Sequence, residues 1–423
     1  MKKIVLAALV FILNLSISAQ PGMFERDKEL PYTNPKPMYL EAHLFEKDSG
    51  YVCFVSYKVS LSNLVFTKNN GDYTGGITLN IEALKKNGNV VRSSTTDEIH
   101  VKNYADTEAR DKFLEGVLSF YVDEYLYELN PLIGITNTER EFPMPPIRLE
   151  EETMDEPVPI VVKKVQKKCS ASAAYLLYNF GNSIPYGTAD ADMLIPAPSP
   201  VTKNIYVELK QDDIIIKRDT LSKPVPHNFY VEKCGDNIYL SDSGRTGAKK
   251  YFLMPAVSAG LHEGKVTVSV SSPDSLLSEN QFDVIWYQKP RSLFNPETAF
   301  KLLEVIADGD TLDDILDRNK HNYFLALREF WNARNPEGNT SYNPLEAEFY
   351  NRVDYALKEY GVRGDRSMNL SDRGEVYVKY GKPSDVERVF TGKDEITEIW
   401  KYNGINLQFI FLDTSGLGDF KLK

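Results

Sequence analysis

The chain has 423 residues, of which 42% are hydrophobic and 12% are aromatic, and its formal net charge is -11 at pH 7. This balance is typical of globular domains and excludes disorder as the state of the whole chain. The negative charge argues against a nucleic-acid partner, because binding to phosphates needs a basic face that releases counterions. The length suits three ordinary domains.

Residues 1–19 have the pattern of a secretory signal peptide. Two lysines precede the apolar run 4–13, and Ala19 stands at the expected cleavage site before Gln20. No later segment is apolar over the length that a bilayer requires. We therefore expect a bacterial protein without a transmembrane segment, located in the periplasm or secreted.

The segment 20–148 is predicted to form a β-sandwich. Ile77, Leu79 and Ile81 alternate with polar residues, and Asn87-Gly88 supplies a two-residue hairpin turn. Short strands at regular spacing, with few helical patterns, favour a sandwich over an α/β fold.

A break follows the first sandwich. Prolines are concentrated at 142–146, and the segment 149–157 combines acidic residues with proline. Like charges and proline together predict a stiff, solvated linker.

A second β-sandwich is predicted over 158–288. Residues 205–209 and 266–270 alternate between apolar and polar side chains, and Asp212-Asp213 is placed as a turn. The stretch 186–200 is predicted to be a long loop because it is rich in proline.

Three cysteines are an odd number for an exported protein. Cys53 lies in an alternating run and is predicted to be a small buried hydrophobe. Cys169 and Cys234 fall in the same predicted domain, so we expect them to form one disulfide.

Two amphipathic helices are predicted in the C-terminal domain, 289–423. The first carries an apolar stripe from Leu316 to Trp331 and stops before Pro336. The second begins after the N-cap Asn343 and ends at Gly361, a natural residue for a left-handed helix terminus.

A small antiparallel sheet is predicted to follow the helix pair. Alternating side chains indicate strands at 375–380 and 405–411, with a sharp corner at 380–383 between the first strand and a helix. The segment 413–419 contains two glycines for a turn, so that 420–423 can return as a closing strand.

Four short motifs occur in this region: Asp372-Arg373-Gly374, Tyr380-Gly381-Lys382-Pro383, Ile399-Trp400-Lys401-Tyr402 and Asp413-x-x-Gly416-x-Gly418-Asp419. By their order and spacing, residues 300–423 resemble the C-terminal region of GWxTD-domain proteins, a family of secreted bacterial proteins without an assigned activity. The resemblance implies structural roles for Trp331, Ser371, Asp372, Arg373, Gly374, Gly381, Pro383, Trp400, Asp413, Gly416, Gly418 and Asp419.

The motif that names the family is altered in this chain. Met368 and Asn369 stand where the family has glycine and tryptophan, and only Ser371 and Asp372 retain the hydroxyl and carboxylate. We interpret this segment as the entry into the first strand of the sheet, with Ser371 or Asp372 accepting hydrogen bonds from nearby backbone amides.

Nothing in the sequence forms a recognisable catalytic or metal-binding pattern. The five histidines are scattered, without a paired metal spacing or a nucleophile elbow. We therefore expect a non-enzymatic protein without a cofactor. A hydrolase that uses Asp372, Asp413 and Asp419 is the weaker alternative, because turn and cap chemistry explains these carboxylates.

The C-terminal domain is expected to bind an envelope protein. Arginine with tyrosine and tryptophan is the composition of protein-contact hot spots, although Trp400 taken alone is better explained as a core residue. A further alternative is carbohydrate or peptide binding by the tyrosine-rich sandwiches. The candidate binding residues are Arg334, Arg352, Arg373, Tyr380, Trp400 and Tyr402.

Overall fold

The computed structural model describes residues 38–423 except 48–49, 87, 110–111, 123–125, 149–155, 166–169, 179, 188–190, 199–202, 245–248, 337, 339, 362–368 and 391–394. The predicted signal peptide and most of the predicted linker lie outside the described residues. The expected fold class is confirmed, because a mainly β part precedes a C-terminal unit of helices and a small antiparallel sheet.

In its described segments, the first β part contains one short α-helix, α1 (Tyr104–Thr107), and nine strands. They are β1 (Met38–Lys47), β2 (Gly50–Ser60), β3 (Thr67–Asn69), β4 (Asp72–Lys85), β5 (Val90–Val101), β6 (Phe113–Val122), β7 (Leu126–Ile135), β8 (Glu141–Pro143) and β9 (Ile147–Arg148).

The second β part consists of twelve strands in its described segments. They are β10 (Ile160–Lys164), β11 (Ala173–Leu177), β12 (Ser183–Pro185), β13 (Ala191–Pro196), β14 (Asn204–Gln211), β15 (Ile214–Ser222), β16 (Val225–His227), β17 (Phe229–Cys234), β18 (Asn237–Asp242), β19 (Lys249–Met254), β20 (Gly264–Ser271) and β21 (Leu276–Ile285).

The C-terminal unit combines five α-helices with a four-stranded sheet in its described segments. They are α2 (Pro296–Lys301), α3 (Gly309–Arg318), α4 (Tyr323–Asn332), α5 (Pro344–Tyr360), α6 (Asp372–Tyr380), β22 (Asp385–Phe390), β23 (Ile396–Tyr402), β24 (Leu407–Asp413) and β25 (Lys421–Leu422).

The two β parts form four stacked sheets. The outermost sheet contains β3, β4, β5, β7, β8 and β9, and it packs on the three-stranded sheet β1-β2-β6. That small sheet packs in turn on the seven-stranded sheet β16-β19-β13-β10-β11-β18-β17. The five-stranded sheet β12-β21-β20-β14-β15 covers the other side of the seven-stranded sheet.

Strand β2 shows why the stack has this order. Val55 and Tyr57 point into the core of the first sandwich. Phe54, on the opposite face, packs in the apolar layer that also contains Phe229 and Leu240 of the second sandwich. Successive side chains of a strand point to opposite faces, so a strand that is apolar on both faces belongs in the middle of a stack.

Two sequence predictions in the β parts are wrong. The proline-rich segment 142–146 is not wholly a break, because Glu141–Pro143 forms edge strand β8 against β7, where proline needs no partner for its missing N–H. The predicted loop 186–200 contains β13, which pairs with both β10 and β19. The Asp212-Asp213 turn is confirmed, since both residues have positive φ between β14 and β15.

The helix pair is only partly as predicted. Helix α5 begins as expected, with the Asn343 side chain accepting hydrogen bonds from the first-turn amides. The predicted first helix is instead two helices, α3 and α4, because Lys320 and His321 adopt positive φ between them. Gly361 has φ -62 and is not left-handed; a Cβ there would lie 2.4 Å from the Leu357 carbonyl oxygen.

The strand predicted at 375–380 is wrong, because this segment lies in helix α6. The corner at 380–383 therefore leads from a helix into strand β22, the reverse of the predicted order. Strand β24 begins at Leu407 rather than at residue 405, and the closing strand β25 pairs with it as expected. Within the described segments, none of the helices has the length and apolar character needed to cross a membrane.

Two of the three cysteines, Cys53 and Cys234, lie in the described part of the chain. Cys53 is a free, buried thiol, as predicted. Cys234 is disulfide-bonded, and its predicted partner Cys169 lies outside the described residues.

Candidate interaction surface

The turn 413–419 is organised by one buried carboxylate. Asp413 accepts hydrogen bonds from the amides of Ser415, Gly416 and Gly418 at 2.7 to 3.0 Å. Burial alone would raise the pKa of Asp413, but these donors lower it below its usual value. The predicted turn chemistry of Asp413 and its two glycines is confirmed.

Ser371 and Asp372 connect helix α6 to its neighbours. The Ser371 hydroxyl accepts from the Gly374 amide and donates to the Tyr360 carbonyl, so it caps α6 and ties it to α5. The Asp372 carboxylate accepts from the Leu422 amide at 2.7 Å. These contacts confirm that both side chains accept from backbone amides, although the element that they open is a helix.

Glu398 is the centre of a charged network between α6 and the sheet. Its side chain is only 2% exposed. One oxygen accepts from Trp400 Nε1 at 2.6 Å and lies 3.5 Å from Arg373, and the other accepts from Arg388 Nε at 2.6 Å. Two guanidinium groups and one indole therefore share a single buried carboxylate.

Two aromatic rings lie close to the Arg373 guanidinium. The group lies 3.9 Å from the ring centre of Phe420 and 5.3 Å from that of Tyr360, and it donates to the Gly418 carbonyl. Burial lowers the pKa of Arg373, while Glu398 opposes that effect. The network thus joins helix, sheet and terminal turn.

Three of the six candidate binding residues are buried, which agrees with the core position favoured for Trp400 and argues against Arg373 and Tyr402 as contact residues. Trp400 is 1% exposed, and Tyr402 and Arg373 are also buried. Tyr402 donates its hydroxyl to the Gly381 carbonyl. Trp400 and Tyr402 occupy alternate positions of β23 that point toward α6, so these three residues hold the unit together.

The other three candidates are at least partly exposed, and Arg352 lies near Tyr380 because its guanidinium donates to the Val378 carbonyl at the end of α6. Arg334 is exposed after α4, where its guanidinium stacks 3.7 Å from the Phe330 ring. Arg352 on α5 is partly exposed and pairs with Glu348. Tyr380 is 39% exposed at the end of α6 and contacts Phe409.

Three further residues of the sequence motifs, Trp331, Pro383 and Asp419, also make contacts within the C-terminal unit. Trp331 is buried in the helical core, and Pro383 is partly buried in the turn before β22. Asp419 pairs with Lys421 at 3.0 Å. Because Asp372 and Asp413 accept from backbone amides and Asp419 faces a lysine, the contacts of these carboxylates are those of turns and caps.

An exposed strand with three apolar side chains, which the sequence did not predict, lies at the edge of the C-terminal sheet. All six residues of β22 are exposed, and they include Val386, Val389 and Phe390, the last being 72% exposed. The strand pairs only with β23 in the described part of the chain, so its other edge carries backbone groups without strand partners. In the sequence, residues 385–390 show only a short mixture of apolar and charged side chains. An ordinary surface strand has the same pattern.

The sheet has an outer face, opposite α6, that carries Val389, Ile399, Ile410 and Leu412. The strand register places Ile399 beside Ile410, while Trp400 and Phe409 face the other way, toward the core. Among the described residues these four aliphatic side chains belong to none of the apolar clusters, and they are partly or fully exposed.

The free faces of the two β-sandwiches are different. The outermost sheet of the first sandwich presents threonines such as the hydrogen-bonded pair Thr78 and Thr96. The free face of the second sandwich carries the ion pair Glu208–Arg218. Aliphatic side chains are common on solvated surfaces singly, but a contiguous group next to an open strand edge is typical of a binding surface.

Two comparisons with known proteins find no match for this chain. A scan against protein-family models finds no match, and a search of curated proteins finds no similar sequence. The described residues therefore show a β-rich fold with an α+β C-terminal unit.

Proposed function

We propose that this protein is a GWxTD-like, non-enzymatic interaction protein of the bacterial cell envelope, and that it binds another protein through its C-terminal sheet. The observation that supports this proposal is the exposed strand β22 beside the aliphatic outer face. The stacked sandwiches serve as the rigid support. Carbohydrate or peptide binding by the sandwiches stays an alternative prediction.

The chemistry of β22 favours an extended segment of the partner. An edge strand offers alternating N–H and C=O groups to a strand added beside it, and alternate side chains supply specificity. Val386, Arg388 and Phe390 point to the face that packs on α6, and Asp385, Glu387 and Val389 point to the outer face. A partner strand with apolar residues opposite Val389 and Phe390 fits both faces.

Charge disfavours a second copy of this chain as the occupant. When two β22 strands pair antiparallel about a two-fold axis, each face of one sheet continues into the same face of the other. An even-numbered residue therefore lies opposite an even-numbered residue, and an odd-numbered residue opposite an odd-numbered one. The registers with the greatest overlap place Glu387 opposite Glu387, or Arg388 opposite Arg388, and like charges directly opposite are destabilising. A different protein is therefore the proposed occupant.

The test is site-specific photocrosslinking with the full chain in the cells that produce it. A benzoylphenylalanine replaces Phe390 in one variant and Tyr121 in a control, because Tyr121 is a comparably exposed aromatic residue of the first sandwich at 69%. We expect a discrete protein adduct from position 390 alone, identified by mass spectrometry. The adduct should disappear when Val389→Lys adds a charge to the same strand.

Three results would overturn the proposal. The same adduct from position 121 would indicate nonspecific contact, and absence of an adduct from position 390 would remove the binding surface. An adduct between two copies of this chain would contradict the choice of a different partner protein.

A further inference from the structure

Strand β22 carries charges of opposite sign on its two faces. Asp385 and Glu387 point to the outer face of the sheet, and Arg388 points to the inner face, which packs on α6. All three side chains are more than half exposed. These charges lie along the open edge of the sheet, where the partner segment adds in the proposed function.

On the outer face of the sheet, acidic groups outnumber basic ones. Lys401 of the neighbouring strand β23 lies 2.9 Å from Glu387 and 3.7 Å from Asp385. Among the described residues, Lys401 is the only cation that forms an ion pair with either carboxylate. One ammonium group therefore balances two carboxylates, and the outer face of the edge keeps an excess negative charge.

On the inner face of the sheet, basic groups outnumber acidic ones. The guanidinium groups of Arg373 and Arg388 lie 3.5 and 2.6 Å from the same carboxylate, that of Glu398. Glu398 and Arg373 are buried, whereas Arg388 is exposed at the edge. Arg388 therefore brings the excess positive charge of this network to the open edge of the sheet.

We propose that β22 selects its partner segment by charge, with a basic residue opposite Glu387 and an acidic residue opposite Arg388. Two apolar residues of the same segment lie opposite Val389 and Phe390. This inference rests on the proposed function, in which a partner strand adds to β22. Opposite charges on directly facing residues stabilise a strand pair, and like charges destabilise it.

The charge pattern specifies one residue order for each strand direction. Because successive residues of a strand face opposite sides of the sheet, the acidic and basic residues of the partner are neighbours in its sequence. An antiparallel partner has the order apolar, apolar, acidic, basic, and a parallel partner has the reverse order. Exchanging the two charged residues keeps the composition and net charge of the segment but places like charges opposite each other at both positions.

Fluorescence anisotropy of the full chain with fluorescein-labelled peptides tests this pattern. The matched peptide contains phenylalanine, valine, glutamate and lysine between flanking threonines, and its control exchanges the glutamate and the lysine. A second pair of peptides has the reverse order, for parallel pairing. In the control, two facing pairs change from attraction to repulsion, so we expect the matched peptide of one direction to bind about tenfold more tightly at low salt. The difference should shrink at high salt, because exposed charges are screened.

A substitution in β22 locates the preference. Glu387→Lys should reverse the preference at its own position, so that a peptide with glutamate in place of the lysine binds this variant more tightly than the matched peptide. Glu359→Lys makes the same change of charge at an exposed position of α5. This control variant should keep the preference of the unaltered chain.

The results separate the charge pattern from the proposed function. Equal affinity for the matched and exchanged peptides at low salt would overturn the charge pattern and leave strand addition in place. An unchanged preference in Glu387→Lys would overturn it as well. Absence of binding by all of the peptides would also overturn the charge pattern, and crosslinking at position 390 decides separately whether this surface binds a protein.

Discussion

Glu398→Ala offers the sharpest test of how the C-terminal unit is held together. The substitution removes the carboxylate that Arg373, Arg388 and Trp400 share. Arg373 would then remain buried without its counter-charge, and the Trp400 indole would lose its acceptor.

The size of the effect follows from the unequal exposure of the partners. Removing one member of a buried ion pair costs about 3 to 5 kcal/mol, because the other charge stays in an apolar environment. Arg388 is 59% exposed, and exposed ion pairs contribute about 1 kcal/mol or less. We therefore expect Glu398→Ala to destabilise the unit by about 3 to 5 kcal/mol and Arg388→Ala by less than about 1 kcal/mol.

Local hydrogen exchange is the appropriate assay, because it reports the opening of the C-terminal unit without requiring the whole chain to unfold as one two-state system. The free energy of opening is measured from the amides of β23 and α6 in the full chain, with amides of β14 as an internal reference. Glu398→Gln serves as the control that keeps the side-chain shape and one acceptor oxygen; it should fall between the other two variants.

If Glu398→Ala lowers the free energy of opening by less than about 1 kcal/mol, the expectation is wrong, because breaking a buried ion pair costs more than that. Equal losses for Glu398→Ala and Arg388→Ala would also contradict it. Either result would mean that solvent reaches the guanidinium of Arg373.

Three further results are expected. Asp372→Ala should lower the stability of the C-terminal unit by about 1 kcal/mol in the same exchange assay, because a partly exposed carboxylate loses one backbone hydrogen bond; an unchanged value would assign Asp372 another role. Lys58→Ala should lower the free energy of opening of β2 and β6 by about 3 kcal/mol or more in the same exchange assay, because its buried partner Glu115 loses the cation 2.8 Å away, and a smaller loss would show that water solvates Glu115. Iodoacetamide at neutral pH should label Cys53 only after denaturation, since burial raises the pKa of this thiol to about 12; rapid labelling of the native protein would contradict its burial.

The elements that the sequence predicted well are those with local signals. Asn343 followed by proline marks the beginning of α5, and the paired aspartates at 212 and 213 mark a hairpin. Helix α6 was missed because valines two residues apart also suit a strand. Ser371, which caps α6, with acidic residues in the next turn was the signal for a helix.

The candidate site was harder to predict because sequence does not show which way a strand faces. Trp400 and Tyr402 share one face of β23 with Glu398, and that face is buried. Glu398, Trp400 and Tyr402 are two residues apart in the sequence, and this spacing was the indication that the charge shares a buried face with two aromatic side chains. The exposure of Phe390 depends on β22 being the last strand of its sheet, which is a matter of tertiary topology.

The three-stranded sheet β1-β2-β6 has a consequence for how the chain is made. Its second apolar face, which includes Phe45, Phe54 and Val117, is covered by strands that come later in the chain. During synthesis, the first 148 residues emerge with this face uncovered until the covering strands, which reach Tyr251, follow. We expect residues 1–148 to need a holding chaperone over that interval and to aggregate when they are produced without the covering strands.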